Sequence, residues 1–190
     1  GPLLAKYRVA KVSLPGGCAI GSRPIDLHLD ALKKMGAKIK IKDGYIIASA
    51  KNGLKGCFIK FPKISVGATE NILIAACFAK GKTQLRNCAS ELEVQDLVAF
   101  LKKLGCNINV VGKRSINVAG ARELKSTTHR VIFDRIEAGT YIIASALTNG
   151  SLKIKNIDPK AMSTEINLLN KMGVNIIKRK NYVIVGGSKK

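Results

Sequence analysis

A cysteine set among glycines and followed by an arginine has access to chemistry that a packed cysteine lacks. In the run Leu14-Pro15-Gly16-Gly17-Cys18-Ala19-Ile20-Gly21-Ser22-Arg23-Pro24-Ile25-Asp26-Leu27-His28, Cys18 stands five residues before Arg23. Three glycines and two prolines in this span break regular structure and mark a surface loop. Reactive groups concentrate on such loops. A nearby guanidinium favours the thiolate, which makes Cys18 a candidate reactive thiol of lowered pKa. On local sequence the alternative is a solvent-exposed turn carrying an incidental cysteine.

Two other clusters have suitable residue types. In Lys63-Ile64-Ser65-Val66-Gly67-Ala68-Thr69, an ammonium and a hydroxyl precede a helix start whose N–H groups are unpaired, an arrangement that attracts anions. The alternative is an ordinary strand-to-helix turn. Asp134-Arg135-Ile136-Glu137 holds the equivalent place further on, with Asp134 and Glu137 as secondary candidates. A lone cluster of this kind is most often a surface ion pair. Gly16-x-x-x-x-Gly21-Ser22 only superficially resembles a nucleotide-triphosphate loop, because the lysine required after Gly21 is absent and Arg23 follows the serine. A planar guanidinium still matches phosphate oxygens in bidentate fashion. His28 and His129 show neither metal-ligand spacing nor an evident partner, and read as structural.

The elements that must position these groups come from a chain of 190 residues with ordinary apolar content of 46%, enough for a core in one or two domains. No apolar run reaches the roughly 18 to 20 residues needed to cross a bilayer. The opening Gly1-Pro2-Leu3-Leu4-Ala5 does not read as a signal peptide. Cysteines at 18, 57, 77, 88 and 106 form an odd set without a C-x-x-C pair, which argues against a zinc site or a disulfide framework and fits a reducing cytosol. Cys57, Cys77, Cys88 and Cys106 read as small core residues. The net charge of +21 is what a nucleic-acid binder would carry. Against that, the lysines are spread over nearly every segment, only 8 of 33 basic residues are arginine, and tryptophan is absent. A lysine-rich surface attracting small phosphorylated ligands explains the charge equally well.

Internal repetition organises the chain. Leu32 to Ile39, Leu101 to Ile108 and Leu169 to Ile176 read alike, with glycines at 36, 105 and 173 spaced by 69 and then 68 residues. Each glycine follows an amphipathic run, as a helix C-terminal cap should, and precedes a short hairpin. Upstream, Gly67-Ala68-Thr69 and Ala138-Gly139-Thr140 open two matching apolar helices, with the threonines as expected caps. Each helix leads to a strand, Thr83 to Arg86 or Leu152 to Lys155, closing on Asn87 or Asn156. One unit thus reads strand, helix, strand, helix, strand, strand over about 70 residues, an α+β pattern. The first unit lacks the front of its first helix. It also carries a surplus of roughly three residues between Gly16 and Arg23, which the other copies show the fold does not need.

Together, Leu14 to His28, Lys63 to Thr69 and Asp134 to Thr140 resemble the UDP-N-acetylglucosamine enolpyruvyl (1-carboxyvinyl) transferase family along essentially the whole chain. Ser22 where alanine is usual and Leu92 where proline commonly starts a helix are mild departures. The resemblance implies an inside-out α/β barrel fold, incomplete here: residues 1–131 as two units of the loop-bearing domain, and 132–190 as one unit of a second domain. It implies an internal fragment of an enzyme over twice as long, bacterial and cytoplasmic, without cofactor, metal, membrane or specific nucleic-acid partner. Its partners would be phosphoenolpyruvate, UDP-N-acetylglucosamine and the rest of its own chain. Enolpyruvate would pass to the sugar in the first committed step of peptidoglycan synthesis. Cys18 would be the proton donor, open to a covalent phosphoenolpyruvate adduct and to fosfomycin. Arg23 would hold phosphate charge and, with Pro24, Ile25, Asp26 and Leu27, contact the UDP-sugar. Lys63, Ile64, Ser65, Val66 and Gly67 would contact its nucleotide end. The family's remaining catalytic groups match no residue here, so the fragment alone is expected to be inactive. The shikimate-pathway enolpyruvyl transferase is disfavoured because it uses no loop cysteine; a basic nucleic-acid-binding protein is the alternative from another class.

Overall fold

Glycines decide where three helices stop. The computed structural model describes residues 1–16, 24–121 and 123–186, in two units, Gly1–His129 and Arg130–Lys190. The first unit opens with α1 (Pro2–Tyr7), β1 (Val9–Ser13), α2 (Asp26–Lys34), β2 (Lys38–Lys42) and β3 (Tyr45–Ser49). A complete repeat follows: β4 (Phe58–Lys60), α3 (Val66–Cys77), β5 (Lys82–Arg86), α4 (Leu92–Lys103), β6 (Asn107–Val111) and β7 (Ser115–Ala119). The second unit holds α5 (Arg135–Leu147), β8 (Leu152–Lys155), a 3-10 turn (Pro159–Met162), α6 (Ser163–Lys171), β9 (Asn175–Lys178) and β10 (Tyr182–Gly186).

Helices α2, α4 and α6 each end on the same motif. Gly36, Gly105 and Gly173 take φ of +94°, +97° and +92°, which only glycine adopts freely. Each glycine amide bonds back to the last-but-one helical residue, and the next amide bonds one residue further back. At the first helix these are Gly36 to the Lys33 carbonyl at 2.9 Å and Ala37 to the Leu32 carbonyl at 3.0 Å. At the last they are Gly173 to Asn170 at 3.1 Å and Val174 to Leu169 at 3.0 Å. The chain leaves each cap reversed, and so enters a hairpin.

Those hairpins build the sheets. The first is ordered β1-β3-β2 and the third β8-β10-β9, all antiparallel; the second is β4-β5-β7-β6, with β4 parallel to β5. Side chains alternate across each sheet: Ile46 and Ala48 of β3 are buried, while Tyr45 and Ile47 face water. No sheet closes on itself among the described residues.

In Gly1–His129 the core centres on α3, which packs on α1, α2 and α4. Ile72, Leu73, Ala75, Ala76 and Cys77 are all fully buried. Its repeat counterpart in Arg130–Lys190, α5, buries Ala138 and Ile142 but leaves Ile136, Ile143 and Leu147 exposed along one face. One copy of the repeat therefore leaves a helix half covered, as expected of an incomplete fold. No helix among the described residues is long and apolar enough to cross a membrane.

Several expectations need correction. Thr69 and Thr140 do not cap α3 and α5, which begin earlier, on Ser65 and Asp134. The threonines lie inside the helices, where their hydroxyls donate to the carbonyls of Ser65 at 2.7 Å and Ile136 at 2.8 Å. Among the described residues no strand lies between β7 and α5, where the repeat would place one. Its counterpart β4 has three residues and, among the described residues, pairs only with β5, so this is the least anchored element of the repeat. Cys77, Cys88 and Cys106 are buried, whereas Cys57 is half-buried.

Candidate functional site

Helix α2 forms because Leu27, Ala31 and Leu32 fall on one face and enter the core. It has 9 residues where α4 has 12, so the connection from β1 lengthens partly at the helix's expense. Cys18 and Arg23 fall outside the described residues. Of the segment that follows, Pro24 and Asp26 are exposed and Ile25 is half-buried. Leu27 belongs to the core, so its side chain is spent on packing. Asp26 stands in the first helical turn, where a carboxylate offsets the positive end of the helix dipole.

Helix α3 starts at Ser65, whose hydroxyl accepts from the Ala68 amide at 3.3 Å. That cap satisfies one amide of the first turn. Among the described residues, none accepts from the amides of Val66 and Gly67. Lys63 and Ile64 are exposed immediately before the cap. An ammonium and two outward amides at a helix N-terminus can hold a phosphate-type anion.

The two segments meet through His28. Its Nδ1 lies 3.1 Å from Asn71 Nδ2, and a Cβ built on Gly67 would come 3.6 Å from its Cε1. The first turn of α2 is thereby laid against the first turns of α3. Burial holds the His28 imidazole below the ordinary histidine value, and the Asp26 carboxylate opposes that shift. A neutral imidazole can accept at Nδ1 from the Asn71 amide. His28 and His129 thus both have partners: His129 Nε2 lies 2.9 Å from Asp96 Oδ1 and its ring packs on Phe100. Residue types alone do not reveal such pairs, because Asn71 and Asp96 lie 43 and 33 positions away.

In Arg130–Lys190, Asp134 is a helix cap rather than half of an ion pair, with Oδ1 accepting from Ile136 at 2.8 Å and Glu137 at 3.0 Å. Glu137 is exposed in the first turn of α5. Arg135 instead reaches Glu165, at 4.0 Å.

Residues 1–190 match the family model of EPSP synthase (3-phosphoshikimate 1-carboxyvinyltransferase). The chain belongs to this family. Within the EPSP synthase family it is 60% identical, over all 190 residues, to the UDP-N-acetylglucosamine 1-carboxyvinyltransferase of Pelagibacter ubique, while covering 46% of that protein. The enolpyruvyl transferase NikO from Streptomyces tendae superposes with a TM-score of 0.79 at 25% identity, over 99% of this chain and 46% of the other. An EPSP synthase from Acinetobacter baumannii shares the fold alone, with a TM-score of 0.66 at 20% identity over 94% of this chain and 43% of the other. This EPSP synthase family member spans under half the length of the relatives it matches.

Proposed function

We propose that this chain is part of a UDP-N-acetylglucosamine 1-carboxyvinyltransferase, which moves enolpyruvate from phosphoenolpyruvate to the UDP-sugar and releases phosphate. The observation that carries this is the 60% identity, over all 190 residues, to a protein of that name. In this reading the step serves bacterial peptidoglycan synthesis, and through it cell shape and division, in the cytoplasm.

Cys18 delivers the proton to the methylene carbon of phosphoenolpyruvate. Arg23 neutralises phosphate charge, and Pro24, Ile25, Asp26 and Leu27 flank the UDP-sugar, Leu27 through its backbone. Lys63, Ile64, Ser65, Val66 and Gly67 take the nucleotide end. Supporting that assignment are the outward amides of Val66 and Gly67 and the contact of α2 with α3 through His28, which make one ledge for a diphosphate. Closing a loop over bound substrates excludes water and delivers the acid. Residues 1–131 would belong to the loop-bearing domain and 132–190 to the other, with Asp134 and Glu137 at the start of its helix α5.

The test is phosphate release by the full-length protein from phosphoenolpyruvate. Release that requires UDP-N-acetylglucosamine is expected, with no turnover from the 190 residues alone. Release with shikimate 3-phosphate in its place, or none with either acceptor, would contradict the proposal.

A further inference from the structure

Asn71 lies one turn beyond Gly67 on α3, and the imidazole of His28 spans the two, within hydrogen-bond reach of Asn71 Nδ2 at 3.1 Å and against the bare face of Gly67. Gly67 leaves the space for the ring, and Asn71 sets its rotation. Because His28 directly follows Leu27 in the first turn of α2, fixing its ring fixes that turn relative to α3. We propose that Asn71 is a positioning residue: acting through His28, it sets the register between the 24–27 and 63–67 segments that together receive the UDP-sugar. This deepens the reading above and rests on it, since Asn71 itself need touch no substrate.

The link depends on protonation. Neutral His28 accepts at Nδ1 from the Asn71 amide; protonated, both ring nitrogens donate and the amide must turn its oxygen inward. Asp26, two residues earlier on α2, raises the His28 titration against the burial that lowers it. A carboxylate at position 71 would favour imidazolium, and an apolar side chain of similar size would remove the link.

The experiment uses the full-length protein with Asn71→Leu and Asn71→Asp. Steady-state kinetics should show KM for UDP-N-acetylglucosamine raised roughly five- to tenfold in Asn71→Leu, the equivalent of one hydrogen bond, with kcat within about twofold. Asn71→Asp should keep KM near wild type at pH 6. NMR should place its His28 titration above that of both wild type and Asn71→Leu. An unchanged KM in Asn71→Leu, equal losses in kcat and KM that track a lower melting temperature, or a His28 titration indifferent to residue 71 would each overturn the proposal. A wild-type protein that does not use the UDP-sugar would refute the proposed function instead; the His28 titration would still decide the link.

Discussion

The hydroxyl of Thr69 ties the start of α3 to the turn before α4. It accepts from the Ala89 amide at 3.0 Å while donating to the Ser65 carbonyl at 2.7 Å, and Thr69 is fully buried. Valine would keep the shape and leave the buried Ala89 amide without its acceptor, at about 1–3 kcal/mol. Its repeat counterpart, Thr140, is exposed, so Thr140→Val should stay within about 0.5 kcal/mol. Denaturant unfolding of both variants checks this, and equal losses would refute the role given to Thr69.

The caps at Gly36 and Gly173 give a cleaner case, because a Cβ at either position meets nothing within 4 Å. Alanine there should destabilise through the backbone alone, by about 1–2 kcal/mol each. Asparagine, which enters the left-handed region more readily, should lose less. Thermal melts that rank asparagine below alanine at either site would contradict the assignment.

Glu70, in α3, has its carboxyl pushed above the ordinary value of 4.5, first by burial and then by the charge of Glu93. A raised carboxylate pKa means that ionisation opposes folding. Its contribution is fully present below 4.5 and is lost as pH rises through the folded value. Glu70→Gln should therefore melt higher than wild type at pH 7, with the gap closing near pH 4. A gap independent of pH, or of opposite sign, would show that Glu70 acts otherwise.

Burial also raises the Cys77 thiol far up, the Cys88 thiol to about 11, and the half-buried Cys57 thiol more modestly. Thiolates are what alkylators consume. At pH 8 the native protein should label at Cys57 well before Cys77 or Cys88, and at all of them in denaturant. Peptide mapping against time reads the order, and simultaneous labelling in the native state would contradict the burial described.

Much of this was legible in the residues. The glycines at 36, 105 and 173 gave away the repeat because a left-handed cap admits few other residues. The strand Leu152–Lys155 followed from its place after the repeated apolar helix. The helix starts were misread, because Thr69 and Thr140 have the right type for a cap and only the distant acceptor need at Ala89 tells why a buried threonine sits inside α3. For the site, the run from Leu14 to His28 carried both chemistry and family. The pairing of His28 with Asn71 was invisible, since a hydrogen bond across 43 positions leaves no local pattern.

The central claim is that Cys18 is the group that meets phosphoenolpyruvate. Peptide mass spectrometry of the full-length protein incubated with phosphoenolpyruvate tests it most directly. The account predicts an added phosphoenolpyruvate mass on the peptide bearing Cys18, with Cys57, Cys77, Cys88 and Cys106 unmodified. An unmodified Cys18 peptide, or an adduct shared among the other cysteines, would contradict it.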